Sequence, residues 1–184
     1  MRQAILISIR PKWCSKIANG EKTIEVRRNR PQLNVPFRVY IYCTKDAKEQ
    51  FWTGPRYSYA DDHSHNAFDK CGNGKVIGEF NCYRITNLFA DSRFWLNEDD
   101  VLHTCLSADE IRKYANGAHG LYGWHISDFK LYDKPLPLNT FKKWFRECEY
   151  SDLGLAIPEC EKCTDAGCFV QKPPQSWFFV EELQ

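Results

Sequence analysis

Hydrophobic positions recur along the chain with two periods, and each change of period marks a new element. The apolar run Ala4–Ile9 predicts a strand. Pro11 suits the first turn of a helix over Lys12–Asn19, where Trp13 and Ile17 stand one turn apart. Gly20 closes that helix as its C-terminal cap. A period of two follows at Thr23–Arg28 and again at Phe37–Cys43. In the second run Phe37, Val39, Ile41 and Cys43 alternate with Arg38, Tyr40 and Tyr42, as in a half-buried strand. Lys75–Ile85 and Leu121–Leu131 read as further strands, and Ser176–Glu182 as a closing one. Ser107-Ala108-Asp109-Glu110 is a capping box that opens a helix ending near Asn116-Gly117. Asn139–Tyr150 has the pattern of an amphipathic helix. A polar insertion rich in turn residues fills about 44–72, and a cysteine-rich loop about 158–172. Six strands with two or three short helices predict an α+β, mainly β domain over 1–184, built as a small barrel with flanking helices.

One of these strands carries more charge than packing requires. "ANGEKTIEVRRNRP" (Ala18–Pro31) sets Glu25, Arg27, Arg28 and Arg30 around Thr23–Arg28. Thr23, Glu25 and Arg27 share one face of such a strand, and Ile24 and Val26 the other. The apolar pair is expected to face the core. The polar trio is expected to face a groove or solvent, with Lys22 at the turn above and the Lys12–Asn19 helix as one wall. The plainer alternative is an exposed strand with a weakly stabilising Glu25–Arg27 pair.

Composition narrows the function. The chain has 184 residues, 43% of them hydrophobic, enough for one folded domain with its own core. Lys and Arg number 25 against 24 Asp and Glu, so nucleic acid would have to meet a local basic patch. Aromatics reach 15%, and they serve a core or stack on bases. No apolar run approaches a membrane span, and "MRQAILISIRPKW" lacks the flanks of a signal peptide. Nine cysteines without a secretion signal point to the cytoplasm, with free thiols or metal rather than disulfides.

"ILISIRPKW" followed by "NGEKTIEVRRNRP" resembles the opening of the ASCH family, a branch of the PUA-like β-barrels. The family pattern G-x-K-x-x-E-x-R is met by Gly20, Lys22, Glu25 and Arg27. "VYIYCTK", "GKVIGEF", "YGWHISDFKLYDKPLPL" and the final "PPQSWFFVEE" resemble the same family in the same order. The resemblance implies a cleft between barrel and helices with the motif at its floor. It implies, as ligand, RNA or a modified nucleobase or nucleoside. The residues have suitable chemistry. Arg27 offers a planar fork to a phosphate or base edge, and Lys22 a point charge. Glu25 accepts from an exocyclic amine. Trp13, Tyr42 and His125 are candidate cleft residues, the first two for stacking, although such residues more often serve a core.

The resemblance also admits an enzyme. Some small ASCH proteins are amidohydrolases acting on acetylated cytidine, with lysine, then threonine three residues on, then arginine. Glu25 stands at the threonine position here, so the nucleophilic hydroxyl is lost. Glu25 as a base with Lys22 as oxyanion stabiliser is the remaining hydrolytic reading, and a nuclease is its variant. Glu110 is a candidate for a third carboxylate. A non-catalytic interaction module is the third class.

Cys160-x2-Cys163-x4-Cys168 begins with zinc-ligand spacing, and Cys148 is a candidate fourth thiolate for a structural zinc. The alternative is a loop with free thiols. Cys14, Cys43, Cys82 and Cys105 fall in helix or strand patterns and read as small core residues.

Overall fold

The computed structural model describes residues 2–54, 70–89, 96, 98–116, 120–144 and 169–183. Among these residues six strands form one mixed sheet: β1 (Gln3–Ile9), β2 (Ile24–Arg27), β3 (Phe37–Cys43), β4 (Val76–Asn87), β5 (Tyr122–Leu136) and β6 (Trp177–Glu181). Their order across the sheet is β2-β5-β4-β3-β1-β6. Among the described residues three α-helices accompany them: α1 (Pro11–Ala18), α2 (Glu98–Thr104) and α3 (Ala108–Ala115). Among the described residues no helix is long and apolar enough to cross a membrane.

The predicted boundaries agree closely at β1, β3, α1, α3 and β6. Pro11 heads α1, and Gly20 at φ +75° lets the chain leave it in the left-handed region that glycine tolerates. Ser107 and Glu110 form the expected capping box on α3. β1 and β3 run parallel, and α1 with β2 forms the crossover that such a pair requires.

The sheet is buried on both faces near its middle. Ile5, Ile7 and Ile9 of β1 join Val39, Ile41 and Cys43 of β3 in the main core, with Phe80 and Trp124. The alternate residues Ala4, Leu6, Tyr40 and Tyr42 fill a second cluster with Phe141, Val170 and Val180. Ile111 and Ala115 of α3 cover a third, made with Val26, Leu88 and Leu121.

The expected barrel is not closed by strand pairing. β2 and β6 are the two edges, and no ladder joins them among the described residues. The sheet nevertheless curls. Trp124 on β5 meets Trp177 on β6 with ring centroids 5.7 Å apart, although β4, β3 and β1 lie between. Register shifts along β4 and β5 supply the bend, as bulges do. Gly78 lies at one shift, where a Cβ would press on the Lys130 carbonyl.

The predicted helix Asn139–Tyr150 is corrected in its described part. Leu138–Thr140 forms a single 3-10 turn, and the chain then runs extended alongside β6. Glu181 N donates to Lys142 O (3.0 Å) and Trp144 N to Phe179 O (3.1 Å). The open edge of β6 offers unpaired backbone groups, and bonding to them outweighs the helical period of this stretch. Residues 145–150 lie outside the described set, as does most of the polar insertion.

Candidate functional site

β2 pairs with β5 in a register that sets Glu25 opposite Trp124 and Ile24 opposite His125. Residues opposite each other share a face. Glu25 and Arg27 therefore lie on the Trp124 side, which is the main core, and Ile24 and Val26 on the other side. The predicted alternation holds, but the assignment of faces is corrected: the charged residues lie on the main-core side and are not solvated, with Lys22, Glu25 and Arg27 3%, 7% and 7% exposed, while Ile24 and Val26 are buried on the other face.

Three elements close around these charges. Glu25 takes Arg27 Nη2 at 2.9 Å on one carboxylate oxygen and Lys22 Nζ at 3.4 Å on the other. Arg27 Nη2 also donates to the Ser8 carbonyl on β1 at 2.6 Å. Lys22 Nζ donates to the Thr104 carbonyl, the last of α2, at 2.7 Å. A helix leaves its last carbonyls without partners inside the helix, so this end is a natural seat for an ammonium. Trp13 of α1 forms the rim, with Lys12 Nζ 4.7 Å and Lys22 Nζ 5.2 Å from its ring centroid.

The cluster holds two cations and one anion, a net charge of +1 in a buried setting. Burial pushes the Lys22 ammonium down from its ordinary value, and Glu25 holds against that shift. Arg27 Nε is buried with no hydrogen-bond partner among the described residues. The chemistry on offer is anion or acceptor recognition beside an aromatic face. Hydrolysis is less well served, because both Glu25 oxygens face cations.

Of the predicted site residues, Lys22, Glu25, Arg27 and Trp13 come together. Tyr42 does not: it is 4% exposed and packs in the cluster on the opposite face of the sheet. His125 does not either. It shares the face of Ile24, and its Nε2 lies 3.0 Å from Thr86 Oγ1 and 3.8 Å from Asp100 Oδ1 of α2. In both cases strand alternation places the side chain away from the trio. Glu110 accepts from Ser107 N (2.8 Å) as part of the α3 cap, and that role accounts for it. Cys14, Cys43 and Cys82 are core residues as expected. Cys105 is not: it follows α2 at φ +58°, half-buried, with its thiol directed at the Glu21 carbonyl (3.3 Å). The proposed zinc ligands Cys148, Cys160, Cys163 and Cys168 lie outside the described residues.

Ser8 and Thr104 were not foreseen. Both contribute backbone carbonyls, which any residue type would offer. α2 was also missed, although acidic Glu98, Asp99 and Asp100 in its first turn and basic His103 in its last are the residue types a helix dipole favours at those ends.

A family model described as "ASCH domain" matches residues 7–150. The crystal structure of ASCH from Zymomonas mobilis superposes with a TM-score of 0.54 at 18% identity, covering 97% of this chain and 88% of that one. A tyrosine-to-phenylalanine mutant of ASCH from Zymomonas mobilis gives a TM-score of 0.53 at 19% identity, covering 98% and 92%. No curated protein matches the chain. At these identities the structures establish the shared fold.

Proposed function

The chain belongs to the ASCH domain family, and from that premise we propose that the cluster of Lys22, Glu25 and Arg27 binds nucleic acid, single-stranded RNA above all, or a modified nucleobase. The observation that carries this reading is the burial of Lys22, Glu25 and Arg27 together, each more than nine-tenths hidden. A packed apolar cluster of similar volume is often as stable as a buried ion network or more so. Stability is thus a weak reason to bury these groups, and ligand recognition is a better one. In this reading Arg27 and Lys22 take the anionic or acceptor groups of the ligand. Glu25 holds both cations in place, and Trp13 offers the stacking face.

The test is binding of a labelled single-stranded RNA across a salt series by the wild type and by Arg27→Lys, with both shown to be folded. The wild type is expected to bind with a shallow salt slope, since the footprint is short. Arg27→Lys keeps the charge and loses the fork, so it is expected to weaken binding by about tenfold. Equal binding by the two proteins would sink the assignment to this cluster. Release of cytidine from acetylated cytidine, absent in Lys22→Ala, would favour the hydrolytic reading instead.

A further inference from the structure

The two sheet edges leave a seam, and Arg27 crosses it near the C-terminal end of β1. Toward the N-terminal end of β1 a cleft of about 430 Å³ opens between Gln3, Arg30, Gln32, Trp144, Trp177 and Phe179. That size suits a small aromatic ligand or one nucleotide unit.

Its apolar wall is firmly mounted. Trp177 and Phe179 are alternate residues of β6, with ring centroids 5.5 Å apart at 72°. Trp124 backs Trp177 from the core. Trp144 is set beside them by its backbone bond to Phe179. All three aromatics are only half-buried. The rest of the lining is polar: two carboxamides and one exposed guanidinium, with no carboxylate. A plain core rim would bring further apolar neighbours instead. Gln3 is also a wall of an adjoining cleft of about 500 Å³ that carries Arg2 and Arg38, the latter ion-paired with Glu79 and with Glu182. The path out of the aromatic cleft therefore passes Arg30 on one side and Arg2 on the other.

We propose that this cleft is a second nucleic-acid subsite, which takes one unpaired base of a single strand. The base stacks on the Trp144, Trp177 and Phe179 wall. Gln3 and Gln32 meet its edge, since a carboxamide both donates and accepts. Arg30 and Arg2 hold the flanking phosphates. The inference rests on the reading of the chain as a nucleic-acid binder, but it uses none of Lys22, Glu25 and Arg27.

The experiment measures a labelled single-stranded RNA hexanucleotide, and an abasic strand of the same length, binding to the full chain. The same is done with Arg30→Glu, Trp144→Leu and Arg27→Lys, each checked for folding by its melting curve. Stacking predicts at least about a tenfold preference for the strand that has bases. It also predicts losses of about tenfold in Arg30→Glu and in Trp144→Leu. Ultraviolet crosslinking of the hexanucleotide is expected to mark the peptide that contains Trp177. Equal affinity for the abasic strand overturns the proposal, and so does unchanged binding by both rim variants. If Arg27→Lys weakens binding while the rim variants do not, this subsite falls and the first reading stands. If only the rim variants weaken it, the assignment to Arg27 falls and the subsite stands. No binding of the hexanucleotide overturns both.

Discussion

Arg27 on β2 donates through Nη2 to the Ser8 carbonyl on β1, 2.6 Å away, and so joins two strands that do not pair. The contact does through a side chain what a ladder would do in a closed barrel. The same nitrogen meets Glu25 at 2.9 Å, so the seam and the charged cluster share one guanidinium.

Arg27→Met is therefore expected to cost about 1–3 kcal/mol, since it removes buried charge-assisted hydrogen bonds but leaves no buried charge without a partner. Glu25 would keep Lys22 alone, and the Ser8 carbonyl would lose its seam donor. Arg28→Met is the contrast. Arg28 is exposed, bonds the Tyr114 carbonyl at 3.0 Å, and is expected to cost less than about 1 kcal/mol. Urea unfolding of both variants measures the difference, and equal midpoints would show that the seam contact adds nothing to stability.

α3 offers a local test. Ser107 Oγ accepts from Glu110 N at 3.2 Å, and the Glu110 carboxylate accepts from Ser107 N at 2.8 Å. Ser107→Ala removes one of these bonds and is expected to lower stability by about 1 kcal/mol. Ser107→Asp keeps an acceptor at the cap and is expected to retain most of the lost stability. A neutral Ser107→Ala would mean that the helix is held by Ile111 and Ala115 alone.

The elements that could be read from the sequence are those whose signals are local. The proline and glycine of α1, the capping box of α3 and the alternation of β3 act within a few residues, and each lies where its pattern puts it. The charged trio was legible for the same reason, because Lys22, Glu25 and Arg27 follow a short motif on one strand. What surrounds the trio was not. Tyr42 and His125 looked equally suited to a cleft, and only the sheet register sends them to the other face. Residues 141–144 have a helical pattern and lie extended, because the edge of β6 is a tertiary partner that no local window contains.

The zinc site remains a proposal from spacing. Cys160 and Cys163 are separated by two residues in the manner of a zinc knuckle, with Cys168 and Cys148 to complete four thiolates. Four protein ligands leave no open position, so the metal would be structural, and its binding would add to folding stability. Protein purified without added metal is expected to carry about one zinc per chain and to melt lower in a chelator. A metal content near zero with an unchanged melting curve would leave free thiols, and the sheet would be unaffected.

His125 makes stability depend on pH. Burial pushes its pKa below the ordinary 6.5, Arg84 on β4 and His103 on α2 add to that, and Asp100 on α2 pulls the other way. The folded state thus prefers the neutral ring, while the unfolded chain takes up the proton more readily. Stability from this group is complete above about pH 6.5 and is lost as pH falls through the lower folded value. His125→Asn is expected to flatten the fall in urea midpoint between about pH 7.5 and about pH 5. Asp128, held below its ordinary value beside Asn81 and Ser127, loses its contribution only at more acid pH, outside this range. If the wild type grows more stable over that range, the pairing of protonated His125 with Asp100 outweighs burial. If wild type and variant follow the same curve, His125 is not the group that titrates.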